Sequence, residues 1–209
     1  VWGDDFSNDM RNSKYNVVRD AYYDLPTSKY YGKSIIAPET KSKLLEEQSW
    51  RWYPWPTKIT TPGEHPEALY ADPALKTLKS TAGATYLDQY MLRLAETYLL
   101  RAEAFLMKGD KEKAANDINE VRNRAHTSEV VASEVTIDYI LDERARELVY
   151  EEFRRITLGR LGKYVERVRK YNTLNGPRVE DYHELFPIPY SAIEANKDAV
   201  LEQNPGYKN

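Results

Sequence analysis

The chain has 209 residues, of which 41% are hydrophobic and 30% charged, and a formal net charge of -3. That length suits one large or two small domains with a real core, and the slight acidic excess argues against a nucleic-acid binder. Cysteine is absent, which excludes disulfides, a thiol nucleophile and a zinc–thiolate site, and no apolar run approaches the ~20 residues that span a bilayer.

Aromatic usage is uneven, with 17 Tyr and 4 Trp against 4 Phe. Tyr and Trp join an apolar face to a polar handle. That suits surfaces that meet polar ligands, and equally loops that satisfy their own hydrogen bonds. Residues 1–83 hold all four Trp and many breakers, among them Pro26, Gly32, Pro38, Pro54, Pro56 and Pro62. No long helical period runs through them, which predicts loops, short strands and short helices. The stretch Trp52-Tyr53-Pro54-Trp55-Pro56 cannot be a central strand, because each proline lacks the N–H that a ladder needs.

Residues 84–172 carry the helical signal. Thr85 can cap a first helix, with Asp88 in its first turn, where the helix dipole favours negative charge. Leu87, Met91, Leu94, Tyr98, Ala102 and Phe105 form one stripe. Gly109 suits a left-handed cap that stops this helix, and Asp110 can cap the next one. The second helix buries Ala114, Ile118, Val121 and Ala125. The short turn forces the two helices antiparallel, and Ala102, Ala114 and Ala115 permit close approach. This approximates one tetratricopeptide (TPR) unit, which cannot bury its own face alone. A third helix is capped by Thr136, with Asp138 in its first turn. Its apolar face runs from Ile137, Ile140 and Leu141 through Leu148 and Val149 to Ile156. A fourth spans Lys163 to Tyr171, with Val165 and Val168 on one side, and Asn175-Gly176-Pro177 follows as a turn.

Residues 173–209 form a patterned tail. Leu185-Phe186-Pro187-Ile188-Pro189-Tyr190 is extended, because each proline restricts the residue before it. Ser191-Ala192-Ile193-Glu194 matches a capping box opening a short helix, and Gln203-Asn204-Pro205-Gly206-Tyr207 is a turn. The fold class expected is mainly α: a TPR-like hairpin plus further helices, flanked by loop-rich segments.

Three sets of residues, in this order and spacing, resemble the C-terminal part of the SusD/RagB family. The first is Leu92-Arg93-Leu94-Ala95-Glu96-Thr97-Tyr98-Leu99, continuing to Ile118-Asn119-Glu120-Val121-Arg122-Asn123-Arg124-Ala125. The second is Ile140-Leu141-Asp142-Glu143-Arg144, followed by Glu147-Leu148. The third is Leu185-Phe186-Pro187-Ile188-Pro189 with Gln203-Asn204-Pro205-Gly206-Tyr207. Residues 12–33, with Ser28-Lys29-Tyr30-Tyr31-Gly32-Lys33, are similar to the middle of such proteins. The whole chain, 1–209, is then one C-terminal region of a SusD-like protein. Val1 stands first with no signal-peptide pattern after it, and the resemblance favours a fragment over a processed protein. The resemblance implies a surface-exposed lipoprotein of the bacterial outer membrane whose lipid anchor is absent from this chain. It also implies capture of glycans or peptides, and a SusC-like, TonB-dependent transporter as partner.

The charged run Glu143 to Arg160 invites a catalytic reading. However, Glu143 with Arg146, Arg144 with Glu147, and Glu151 with Arg155 have the spacing of helix-surface ion pairs. In the family these residues are best taken as fold signature, with Arg144, Glu147 or Arg155 as candidates for buried partners. Nothing singles out the two carboxylates across a cleft that a glycosidase needs. His65, His126 and His183 lie far apart, so no metal site is expected; no cofactor-binding motif is present either. The best functional candidates are Trp50, Trp52, Tyr53 and Trp55, with Tyr30, Tyr31 and Trp2 as additions. A flat ring covers the C–H face of a sugar without stranding its hydroxyls. Trp50 and Trp52 alternate, so an extended segment puts both on one face. The competing view is that these rings pack a loop onto the helices. The expected function is glycan binding without catalysis, with a TPR-like peptide- or protein-binding module and a glycan-processing enzyme as alternatives.

Overall fold

The computed structural model describes residues 8–40, 54–58, 65–83, 88 and 90–208. It divides into two compact units, residues 1–151 and 152–209. Its regular structure is mainly helical, with six α-helices and four short strands among the described residues.

In the first unit, α1 (Leu94–Met107) and α2 (Lys111–Arg124) form the hairpin. Gly109 takes φ +79° at the turn, and the Asp110 carboxylate accepts from the Lys113 N–H at 3.1 Å. Leu99, Ala102, Ala114, Ile118 and Val121 are buried between the helices. The α3 helix (Ile137–Glu147) begins at Thr136, whose hydroxyl accepts from the Tyr139 N–H at 3.1 Å. Ile140, Leu148, Val130 and Val135 close the same core, so α3 and the loop before it cover the face that the hairpin cannot bury alone. Asn119 holds that loop: its amide accepts from the Val130 N–H at 2.8 Å and donates to the Val130 carbonyl at 3.0 Å.

Two helix limits differ from the sequence expectation. The first helix starts at Leu94, with Arg93 extended at φ -141° and ψ 163° before it. Met91 is 90% exposed and lies outside the helix; Thr85 and Leu87 lie outside the described residues. Arg93 is held by side-chain bonds to Glu147 and Glu151, which direct it away from helical geometry. The third helix ends at Glu147, Tyr150 takes φ +64°, and Ile156 lies in a separate helix with its side chain exposed.

Before the helices lie a 3-10 turn at Met10–Asn12 and two small antiparallel pairings. Strand β1 (Val17–Val18) pairs with β2 (Trp55–Pro56), and β3 (Tyr70–Asp72) pairs with β4 (Thr77–Leu78). A two-residue strand in a two-stranded sheet tolerates Pro56, as edge positions do.

The second unit contains α4 (Arg154–Arg160), α5 (Tyr164–Tyr171) and α6 (Tyr190–Ala195). The Arg155 guanidinium lies 3.6 Å from the Tyr164 ring centre and 4.3 Å from that of Phe186. It also donates to the carbonyls of His183 (2.6 Å) and Glu184 (3.2 Å). Glu184 in turn accepts from the Val165 N–H at the start of α5, where the helix dipole favours a carboxylate. The tail motif closes on itself. The Gln203 side chain accepts from the Ile188 N–H at 2.7 Å and donates to its carbonyl at 2.8 Å. Asn204 donates to the Phe186 carbonyl and the Tyr207 hydroxyl to that of Leu185. The expected capping box at Ser191 does not form. Pro189, with its fixed φ, starts the helix, so Ser191 falls inside the first turn.

Candidate functional site

The first candidate region is the loop of residues 20–40. The Ile35 and Gly32 N–H groups donate to the Ala21 and Tyr23 carbonyls at 2.9 and 2.8 Å, and Gly32 takes φ +73° at the bend. Ile35 is buried as the anchor, and the Ser34 hydroxyl donates to Asp20 at 2.7 Å. This frame presents a group of tyrosines. Tyr23 and Tyr30 pack with ring centres 5.4 Å apart, and Lys29 lies 4.6 Å from the Tyr30 centre. Tyr22 and Tyr31 are 65% and 59% exposed. Of the seven predicted site residues, the structure thus brings Tyr30 and Tyr31 together on one loop, one packed and one open. The Trp55 backbone pairs with Val18. Trp2, Trp50, Trp52 and Tyr53 lie outside the described residues.

The second region is a cleft of about 210 Å³ beside β2. Met10, Pro56, Ala125 and Val149 form its apolar wall, and Asn16 joins them. Arg11, Lys58, Arg124, Arg146 and Glu147 supply its charge. A network of ion pairs lies behind it. Glu143, fully buried, accepts from Arg11 (2.8 Å), Arg122 (2.9 Å) and Arg146 (2.8 Å). Glu147, also buried, meets Arg11 (2.9 Å), Arg93 (2.6 Å) and Arg124 (2.6 Å). Glu151 meets Arg93 (2.6 Å) and Lys58 (2.8 Å), and the Lys58 ammonium also donates to the Glu147 carbonyl.

This corrects the reading of helix-surface pairs. Glu143 does pair with Arg146, but inside the protein. Arg144 bonds Glu96 at 2.9 Å, with Glu147 taken by three other arginines. Arg155 stacks on rings and bonds carbonyls, and Glu151 pairs with Lys58 and Arg93. Sequence reasoning did not single out Arg11 or Lys58. Each is an isolated basic residue in a loop, and Arg11 lies 132 positions from Glu143. Asp9 two residues before Arg11, capping the turn and bonding its guanidinium at 2.6 Å, is the local sign that was available.

The electrostatics follow. Burial pushes the Glu143 carboxyl up, but Arg11 and Arg146 outweigh it and hold it below its ordinary value. Burial pulls the Arg11 guanidinium down, and Asp9 and Glu143 more than reverse this, so it is raised. For Lys58 burial wins: its ammonium is pulled below the ordinary lysine value despite Glu151. A general acid needs a carboxyl raised toward neutral pH, and Glu143 is shifted the other way. Among the described residues no group of three or more His, Asp or Glu is arranged to hold a metal ion.

The sequence pattern of the SusD family matches residues 5–207. The chain is 40% identical over 138 residues to the starch-binding protein SusD of Bacteroides thetaiotaomicron, a match covering 62% of this chain and 24% of that protein. It therefore spans about a quarter of the length of the curated relative it matches. A crystal structure of a SusD homologue from the same organism aligns over 96% of this chain and 41% of its own, at a TM-score of 0.54 and 21% identity. At that identity the likeness is one of fold.

Proposed function

We propose that this chain, which belongs to the SusD family, is the C-terminal region of a glycan-binding protein of the bacterial cell surface. The observation that carries this reading is the 40% identity to a protein named for starch binding. The binding surface includes the tyrosine loop, where exposed Tyr31 and Tyr22 offer flat apolar faces beside Lys29 and Asp20. Trp50, Trp52, Tyr53 and Trp55 are further sugar-contacting residues of the protein, and Trp2 is a weaker addition. The protein binds without cleaving and is held at the outer membrane by a lipid anchor. It hands its cargo to a SusC-like, TonB-dependent transporter.

Affinity electrophoresis against a polysaccharide panel that includes amylose and amylopectin tests this reading. Binding to at least one polymer is expected, weakened about fivefold by Trp52→Ala and by Tyr31→Ala, since one ring–sugar contact is worth about 1 kcal/mol. No retardation by any polymer would reject glycan binding. Unchanged affinity in both variants would place the surface elsewhere. Incubation with the bound glycan is expected to release no smaller products, and reproducible cleavage would return the enzyme reading.

A further inference from the structure

The cleft beside β2 is distinct from the tyrosine loop, and its chemistry differs. It has an apolar wall, of which Pro56 and Val149 are part, and a cationic rim. Its volume of about 210 Å³ leaves room for one sugar ring and falls short of the ~300 Å³ at which sites for larger ligands begin. At the rim, Arg124 commits one terminal nitrogen to Glu147, and its side chain is 64% exposed. No other described residue bonds its remaining N–H groups. The Asn16 side chain donates its amide N–H groups to the Met10 carbonyl and the Ser13 hydroxyl, which leaves its side-chain oxygen Oδ1 free of described donors. Two open polar groups, a donor and an acceptor, thus face an apolar wall.

We propose that this cleft binds a single acidic sugar residue, a uronate, with its carboxylate on Arg124 and the C–H face of the ring against Pro56 and Val149. The cation side of the cleft explains the preference. Arg11, Lys58, Arg124 and Arg146 line the cleft against the one carboxylate of Glu147, so an added anion is favoured there over a cation. The planar guanidinium of Arg124 matches a carboxylate better than a neutral hydroxyl. A free carboxylate lacks the ring that the apolar wall would cover. The proposal rests on the glycan-binding reading and names a sugar class for a second site on the same chain.

Titration of the 209-residue chain with D-glucuronate, D-glucose and acetate, followed by NMR, tests it. Glucuronate is expected to bind about tenfold tighter than glucose or acetate, the scale of one charge-assisted hydrogen bond, and to weaken as salt rises. Arg124→Gln is expected to erase that preference. Met10→Trp, which fills the cleft from an exposed position, is expected to block glucuronate while leaving polysaccharide binding at the tyrosine loop intact. Equal affinity for glucuronate and glucose, or preference unchanged in both variants, overturns the proposal. Acetate binding as well as glucuronate reduces the site to a carboxylate site and overturns the sugar assignment. Polysaccharide binding without glucuronate preference sinks this inference alone; glucuronate preference without any polysaccharide binding sinks the broader reading alone.

Discussion

Glu143 carries its negative charge in full burial because three guanidinium groups surround it. Breaking such a cluster by removing one partner leaves the others buried without compensation. Glu143→Ala is therefore expected to cost about 3–5 kcal/mol, read by urea unfolding at pH 7. A loss under about 1 kcal/mol would mean that water reaches these groups freely, as at a surface pair. The depressed carboxyl also sets a pH dependence. A group whose folded value lies below its ordinary value near 4.5 contributes fully above 4.5, and that contribution is lost as pH falls through the folded value. Stability is thus expected to fall on acidification below pH 4.5, and Glu143→Gln to flatten that part of the curve. An unchanged slope in the variant would assign the acid sensitivity to other carboxylates.

At the scale of elements, what was legible in the sequence was what is local. Gly109 and Asp110 define the hairpin turn, and Thr136 the start of α3, because a cap is satisfied within three residues. Removing the hydroxyl in Thr136→Ala is expected to cost about 1 kcal/mol, visible as a lower melting temperature. The start of α1 was not legible, because the groups that hold Arg93 extended lie 54 and 58 positions away. The end of α3 was hidden too: Leu148 and Val149 continue the apolar period that the backbone abandons at Glu147. The tail illustrates both sides. Its prolines forecast extension, but the clasp of Gln203 on Ile188 is a pairing across fifteen residues. Gly206 completes it at φ +90°, where an added Cβ would lie 2.3 Å from the Tyr182 ring. Gly206→Ala is expected to break the Tyr182–Tyr207 contact and destabilise the second unit by about 1–3 kcal/mol. Loss of hydrogen-exchange protection at the Ile188 amide would report it. Full retention of that protection would show that the clasp holds without the tail turn.

At the scale of the molecule, the order of motifs identified the family, and the matched range of residues 5–207 agrees with it. The candidate regions were only partly legible. Aromatic content pointed to Tyr30 and Tyr31 by composition, whereas the cleft arises from Arg11, Lys58 and Arg124, which meet only when the loops fold onto α2 and α3. Arg11 has the wider structural role. It joins Asp9, Glu143 and Glu147, while the Met10 N–H next to it donates to the Ala125 carbonyl at 3.0 Å. Residues 8–18 in turn hold residues 54–58 through β1–β2 and through the Thr57 N–H on the Asn16 carbonyl. Lys58, on Glu151, is the second tie between that strand and the helices. Arg11→Met keeps the stem and removes the charge, taking one guanidinium from each of three buried carboxylates, Asp9, Glu143 and Glu147. It is expected to lower stability by about 3–5 kcal/mol and to expose residues 8–18 and 54–58 to protease before α1, α2 and α3 are cut. The helical hairpin depends on apolar packing of Leu99, Ala102 and Ile118, which the substitution does not touch. Limited proteolysis with fragment mass mapping distinguishes the outcomes: simultaneous cleavage everywhere would mean that loops and helices unfold as one unit. Unchanged resistance at residues 8–18 would mean that the Met10 and β1 backbone bonds suffice without the ion pairs.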